Sequence, residues 1–369
     1  MEPKTAVSKK VRNIEASGVR KMFEMASKID NPINLSIGEP DFAMPENVRQ
    51  KAIEAIQNGL TKYTPTTGIK ELKEGILKKL ERENGIKAGM ESIIVTSAAS
   101  GALSAIFTTL LERGDEIIIP DPYFVLYKQL AIQNEAIPVF VGTKDDFSLD
   151  IGAIEKAVTG KTKAIIINSP NNPTGKVYSE EELRKLAEAA KKHDLIVISD
   201  EIYEKFCFGK KHFSIGSIYE NTITVNGFSK SHAMTGCRVG YCAGPKEIIQ
   251  EAIKVQQFNF VCAPTAFQHA CVEALGTGVE NHIEEYKERR DLVYEGLKGK
   301  YKLTKPEGAF YAFIKYPFNG EEFIKKCVEN RLLVVPGKTF SEHDTHFRIS
   351  FAESRETIRK GIEILNRIA

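Results

Sequence analysis

The sequence predicts an α/β protein, with a large domain built on a mostly parallel sheet covered by helices and a smaller α+β domain after it. Three observations carry this expectation. First, short and nearly all-apolar runs recur: Ile93-Ile-Val95, Ile117-Ile-Ile119, residues 136–141, Ala164-Ile-Ile-Ile167, Leu195-Ile-Val-Ile198 and Ile223-Thr-Val225. Runs without a polar face belong to strands buried on both sides, as in parallel sheets. Second, the runs alternate mostly with helical segments, of which 99–111 and 179–193 are the clearest, the latter opened by a Ser179-Glu-Glu-Glu182 capping box. Third, the pattern changes after Gly276. A charged helix over 282–300 precedes strand-like Gly308-Ala-Phe-Tyr-Ala-Phe313, Leu332-Leu-Val-Val335 and His346-Phe-Arg-Ile-Ser-Phe351. The expected division is an N-terminal segment 1–44 joining the small domain, a large domain 45–275, and a small domain 276–369.

The remaining elements follow in order. Residues 7–28 carry helical spacing and break at Asp30-Asn-Pro32, and Leu35 to Phe42 reads as a loop with Gly38 and Pro40. A helix over 45–57 has Pro45 in its first turn, and another spans 71–79. At 369 residues the chain exceeds one ordinary core and suits two domains. Composition is that of a soluble globular enzyme, with 42% hydrophobic and 27% charged residues. A net charge of +2 gives no reason to expect nucleic acid or an anionic membrane as partner. The six cysteines show no CxxC spacing, which suits reduced thiols in the cytoplasm better than disulfides. The start lacks the apolar core of a signal peptide, and no stretch reaches membrane-spanning length.

The chemistry centres on residues 226–241. Lys230 stands just past the end of the strand over Thr222-Ile-Thr-Val225, and Arg238 follows eight positions later. A partly desolvated lysine amine can form a Schiff base and later move protons. An arginine fork suits a phosphate through paired, charge-assisted hydrogen bonds. Together they point to a phosphorylated aldehyde, pyridoxal 5′-phosphate (PLP). A solvated surface lysine is the plainer reading of Lys230 taken alone.

Ser229-Lys230, then Ala233-Met-Thr-Gly236, then Arg238-Val-Gly240 resembles the PLP-lysine segment of the class I/II aminotransferases, the aspartate aminotransferase superfamily of fold type I. The likeness runs from about Ile14 to the end, with the motifs in the family's order. Two positions depart from it: Gly227 stands where many members carry a hydroxyl residue, which puts one phosphate hydrogen bond in question, and Cys237 where a tryptophan is common. The resemblance implies that Ser229 and Arg238 bind the cofactor and that Lys230 carries it.

Further candidates sit beyond the carboxyl ends of the predicted strands, where open α/β sheets bind ligands. Asp200 follows Leu195–Ser199; a carboxylate beside the pyridine nitrogen keeps it protonated, although an acid here could also cap the next segment. Asn168-Ser-Pro-Asn-Asn-Pro-Thr-Gly175 follows Ala164-Ile-Ile-Ile167 and reads as a rigid turn, a role that Asn and Pro also fill in a plain turn. Thr96-Ser-Ala-Ala-Ser100 opens a helix whose free N–H groups suit a phosphate. Phe124 is the candidate ring for the pyridine face; it serves equally as core, and Tyr123 or Tyr127 stands close enough to take its place. In the last strand, alternation puts His346, Arg348 and Ser350 on one face, so that Arg348 is either a carboxylate clamp or a surface arginine.

The family's pattern implies a role for each. Asp200 meets the ring nitrogen, Tyr203 the ring oxygen, Asn172 the ring oxygen and substrate carboxylate, and Ala98, Ala99 and Ser100 the phosphate. Arg348 holds the substrate α-carboxylate, and Gly38 lies in the loop beside the substrate. Tyr63 reaches the phosphate of the other subunit, which implies a homodimer with shared sites.

The expected function is transamination between an L-amino acid and 2-oxoglutarate by a ping-pong route, with Lys230 as general base and acid. Aspartate is the favoured donor, since a site for 2-oxoglutarate must accept a second carboxylate. The segment Ala16-Ser-Gly-Val-Arg-Lys-Met-Phe23 resembles the one that folds over substrate in members acting on aspartate and aromatic amino acids; Arg20 and Lys21 could meet a distal carboxylate and Val19, Met22 and Phe23 an apolar side chain, with helical packing an equal alternative. Aromatic or alanine donors, and β-lyase chemistry on the same fold, are the alternatives. An aminotransferase-like regulator would need a DNA-binding module ahead of residue 14, and a dehydrogenase would need a GxGxxG motif; neither is expected here.

Overall fold

The computed structural model describes residues 6–16, 18, 24, 27 and 29–369. The segment 16–23 is therefore largely beyond reach: Val19, Arg20, Lys21, Met22 and Phe23 lie outside the described residues.

A seven-stranded sheet forms the centre. In chain order its strands are β2 (Ile93–Thr96), β3 (Glu116–Asp121), β4 (Ile137–Gly142), β5 (Thr162–Asn168), β6 (Ile196–Asp200), β7 (Thr222–Gly227) and β8 (Gly240–Ala243), after a short β1 (Ile33–Asn34) that belongs elsewhere. Across the sheet they run β2-β8-β7-β6-β5-β3-β4, parallel from β7 to β4, with β8 antiparallel to both its neighbours. Every apolar run picked out in the sequence is a strand here. The antiparallel β8, Gly-Tyr-Cys-Ala, is the addition: it is too short and too poor in β-branched residues to show as a run. Pro138 lies in β4 at the sheet edge, the place where a strand can lack a ladder donor.

The isoleucine runs are explained by burial on both faces. Ile94, Ile117, Ile119, Ile166, Ile198, Ile223 and Val225 pack into one apolar layer, under helices Ala98–Leu110 and Lys246–Asn259. Ile118, Ile165, Ile167 and Val197 pack into the opposite layer, with Leu183, Leu186 and Ala190 of helix Glu180–Lys192. Ile166→Ala would cost about 2–5 kcal/mol through lost transfer energy and a residual cavity. The capping box forms: Ser179 Oγ accepts from Glu182 N at 3.2 Å, and the Glu182 carboxylate accepts from Ser179 N at 2.8 Å.

A second, antiparallel sheet is built from β9 (Tyr311–Lys315), β11 (Val335–Pro336) and β12 (His346–Ser350), in the order β11-β12-β9. Between β9 and β11, β10 (Leu332–Leu333) pairs in parallel with β1, Ile33 against Leu332 and Asn34 against Leu333. Helices Glu280–Leu297 and Arg355–Ile368 contribute Tyr286, Val293, Ile358, Ile362 and Leu365 to the apolar cluster beneath this part of the chain. All six cysteines are free, and among the described residues no helix is long and apolar enough to cross a membrane.

Candidate active site

Between the carboxyl ends of the parallel strands and the three-stranded sheet lies a cavity of about 380 Å³. Its lining includes Gly38, Ala98, Ala99, Ser100, Phe124, Asn172, Asp200, Tyr203, Ser229, Lys230, Arg238 and Arg348, which leaves out only Tyr63 among the described cofactor and α-carboxylate candidates from the sequence. A cleft of about 930 Å³ lies elsewhere, between the start of β7 and the residues after β8, and is lined by none of them.

Asp200 ends β6 and is buried. Its Oδ2 accepts from the Tyr127 hydroxyl at 2.7 Å and its Oδ1 from the Ile202 amide at 3.2 Å. Burial raises its carboxyl to a pKa of about 6, more than those hydrogen bonds pull it down. The next residue, Glu201, anchors the strand end: it accepts from the Ser214, Ser199 and Asn84 side chains at 2.6, 3.0 and 3.0 Å and lies 2.9 Å from His212 Nε2.

The turn after β5 is fixed by its asparagines. Asn168 Nδ2 donates to the Asp200 carbonyl at 2.9 Å, while Asn168 Oδ1 accepts from the Asn172 amide at 2.8 Å. Asn171 Oδ1 accepts from Thr174 N and Oγ1 at 3.1 and 2.8 Å. Asn172 is thereby held with its Oδ1 3.0 Å from Arg348 Nη1, which donates to it.

Arg348 is 1% exposed, so the surface-arginine alternative is excluded. Its Nη2 donates to the Ser36 carbonyl at 2.6 Å, and its guanidinium carbon sits 4.5 Å from the Tyr311 ring centre and 4.6 Å from that of Phe340. The Nε–H has no partner, and none of the ion pairs among the described residues involves this cation. A buried guanidinium left without a counter-charge is costly unless a ligand supplies one.

Lys230 leaves the loop after β7, and its ammonium donates to the Gly38 carbonyl at 2.7 Å. Desolvation lowers its pKa to about 8, with Arg348 and Arg238 acting in the same direction against Glu39 and Asp200. Glu39 accepts from the Thr235 hydroxyl beside it. The loop passes close under the helix start because glycines face each other across β7 and β8: Gly227 pairs with Gly240. A Cβ on Gly227 would lie 2.9 Å from Gly240 Cα, and one on Gly240 only 2.5 Å from Ala98 C and Ala99 N. In this backbone arrangement a side chain at Gly227 would force Gly240 to shift.

The helix start itself holds Ala98 at a left-handed φ of 62°, a conformation that costs a side-chain-bearing residue roughly 1–2 kcal/mol. Arg238, also left-handed at φ 57°, donates from Nη2 to Ser100 Oγ at 3.0 Å and from Nη1 to the Thr235 carbonyl at 2.9 Å. Of the three aromatics, Phe124 borders the cavity. Tyr123 stacks on Phe140 and donates to Glu342 at 2.6 Å, while Tyr127 serves Asp200. Tyr203 Oη lies 2.9 Å from Tyr311 Oη. Tyr63 stands apart, 82% exposed.

Sequence reasoning assigned no site role to Tyr311 or Asn168, and missed the one Tyr127 plays here. Tyr311 sits in a run that reads only as a strand. Asn168 opened the turn already singled out, and its two hydrogen bonds are the kind of local role an Asn at a strand end performs. Tyr127 was weighed only as a stacking ring.

A sheet of this order, with a lysine, a buried carboxylate and a buried arginine converging beyond its strand ends, is the frame of a PLP-dependent enzyme acting on amino acids. Residues 30–365 match the family model described as aminotransferase class I and II. The chain is 41% identical over 374 residues to the probable aspartate aminotransferase of Methanocaldococcus jannaschii, covering 98% of this chain and 99% of that one. It is 38% identical over 381 residues to aromatic-amino-acid aminotransferase 2 of Thermococcus litoralis, covering 98% of each. Among solved structures, aspartate aminotransferase from Thermus thermophilus with maleate superposes with a TM-score of 0.94 at 37% identity, over 99% of this chain and 100% of that one. The chain belongs to the class I and II aminotransferases, enzymes that use PLP to move amino groups between amino acids and 2-oxo acids.

Proposed function

We propose that this aminotransferase transfers the amino group of an L-amino acid, with aspartate favoured, to 2-oxoglutarate by a ping-pong mechanism. The observation that carries the reading is the buried, unpaired Arg348 guanidinium opening on the same cavity as the Lys230 amine. A cation so placed selects a ligand that carries a carboxylate as well as the group that meets the lysine.

The residues fit PLP on electrostatic grounds. Asp200 is a buried carboxylate whose partners are a phenol and an amide, leaving it to accept a cation such as a protonated pyridine nitrogen. Arg238, Ser100 and the free N–H groups at the start of helix Ala98–Leu110 converge on one corner of the cavity, and would hold the phosphate. Phe124 would cover the ring and Tyr203 and Asn172 would contact its oxygen. When bound, the cofactor supplies the aldehyde that receives the amino group and a ring that acidifies the α-hydrogen.

The chain's own residues do the rest. Arg348 and Asn172 hold the α-carboxylate, which fixes the α-carbon before Lys230. The lowered pKa of about 8 leaves a usable fraction of Lys230 unprotonated near neutral pH, so Nζ can take the α-proton and return it as an acid. The Gly38 carbonyl gives that nitrogen a fixed resting position.

Aspartate is supported by relatives named for it. Within the cavity the described basic groups are Lys230, Arg238 and Arg348, so Arg20 and Lys21 are the groups proposed for a distal carboxylate. The test is kcat/KM for aspartate, tyrosine, phenylalanine and alanine with 2-oxoglutarate. Aspartate should lead; an advantage for any other donor of more than about tenfold, roughly 1.4 kcal/mol in transition-state binding, rejects it.

A further inference from the structure

Tyr203 and Tyr311 come from different sheets, the turn after β6 and strand β9, and their hydroxyl oxygens meet at 2.9 Å with both side chains buried. Among the described residues each phenol has the other as its hydrogen-bond partner. Two further contacts fix Tyr311. Its ring lies against the Arg348 guanidinium, and its oxygen sits where a Cβ on Gly38 would come within 2.5 Å. Its hydroxyl therefore has little room to be anywhere else.

Each phenol has one proton and can accept as well. A cofactor ring oxygen that carries negative charge can only accept. If Tyr203 donates to it, as in the function proposed above on which this step rests, the single Tyr203 proton is committed there. The bond between the two phenols must then use the proton of Tyr311. We infer that Tyr311 is a positioning residue: it donates to Tyr203 and so fixes the Tyr203 hydroxyl with its proton toward the cofactor ring oxygen. A hydroxyl that accepts one hydrogen bond also donates more strongly in another, so Tyr311 strengthens the contact as well as aiming it. Because the same ring lies against Arg348, the residue that reads the substrate carboxylate and the cofactor donor Tyr203 share a single side chain of β9.

The experiment titrates the visible absorption of the PLP-loaded enzyme for wild type, Tyr203→Phe, Tyr311→Phe and the double variant. Donation to the ring oxygen stabilises the negative charge left when the chromophore loses its proton, so losing the donor raises the pH midpoint. Tyr311→Phe should raise it by about half a unit, threefold in the proton equilibrium. Tyr203→Phe should raise it further, and the double variant should match Tyr203→Phe alone. KM for the amino acid should hold steady in Tyr311→Phe, because the ring beneath Arg348 remains. An unmoved midpoint in Tyr311→Phe, with or without a raised KM, overturns the inference, as does a double variant whose shift is the sum of the two. An unmoved midpoint in Tyr203→Phe instead removes the ring-oxygen role of Tyr203, and the inference with it.

Discussion

Arg348 on β12 donates to the Asn172 side chain across 3.0 Å, and this bond joins the three-stranded sheet to the turn that ends β5 of the large sheet. It sets the direction of a guanidinium that has its Nε–H still to give.

Arg348→Lys keeps the charge and loses the fork. The ammonium cannot hold Asn172, the Ser36 carbonyl and a carboxylate together. The expected loss in kcat/KM is about 10²-fold, in line with about 2–3 kcal/mol for charged hydrogen bonds, and it should fall mainly on KM. The visible spectrum of the loaded enzyme should not change. A variant with wild-type KM would show that the substrate carboxylate binds elsewhere.

Lys230→Ala should remove both the covalent visible band and turnover, by at least about 10³-fold. Absorbance and a coupled assay on the same sample read both. A band that survives the substitution would mean that another amine carries the cofactor.

Asp200 makes a pH prediction for the cofactor-free protein. Its folded pKa, raised from 3.8 to about 6, lies above the unfolded value. The stability it contributes is thus fully present below about pH 3.8 and is lost as pH rises through about 6; the loss is about 3 kcal/mol. Cofactor-free Asp200→Asn should therefore gain on wild type in melting temperature between pH 5 and pH 7.5, while binding PLP poorly. If the two proteins keep a constant gap across that range, the carboxylate is not strained by burial.

Tyr63 makes a prediction about assembly. It is exposed, as are Ile53, Ile56, Leu60, Phe258 and Phe260 on neighbouring segments linked through the Thr265 hydroxyl and the Lys62 carbonyl. We propose that a second copy of the chain covers this apolar surface and receives Tyr63 at its phosphate site. Lys230→Ala and a Tyr63→Phe variant weakened by Ser100→Ala, each poorly active, should regain activity when refolded together as mixed dimers. A fully active monomer in sedimentation would reject the shared site.

Much of this was legible before any coordinates. Strands buried on both faces write themselves as isoleucine and valine runs, and ligand sites at strand ends follow from topology. Helix limits were close: the expected helix at 99–111 is Ala98–Leu110. What escaped depends on distance. Tyr311 meets Tyr203 across 108 residues, and no periodicity announces such a contact. Strand β12 shows the limit of alternation: Phe347 and Ile349 lie on one face and Arg348 and Ser350 on the other, as the pattern implies, yet all four are buried. On the polar face Arg348 lies against the Tyr311 and Phe340 rings and borders the cavity, a setting the pattern by itself cannot distinguish from solvent.

Past β1 the chain turns its carbonyls to other partners than β10. Ser350 N donates to the Leu35 carbonyl at 2.7 Å, Arg348 Nη2 to the carbonyl of Ser36, and Lys230 Nζ to that of Gly38. Within four residues the chain offers its main-chain oxygens in turn to the small sheet, to Arg348 and to Lys230. Carbonyls are the same whatever side chain is attached, so at Ser36 the spelling of this stretch is freer than its length, while Leu35 is held by the core and Gly38 by the Tyr311 hydroxyl. Ser36→Ala leaves all three oxygens where they are; one residue inserted after Ser36 carries the Gly38 carbonyl out of step with Lys230. Along residues 35–38 the protein works as a ruler, and a ruler admits no added notch.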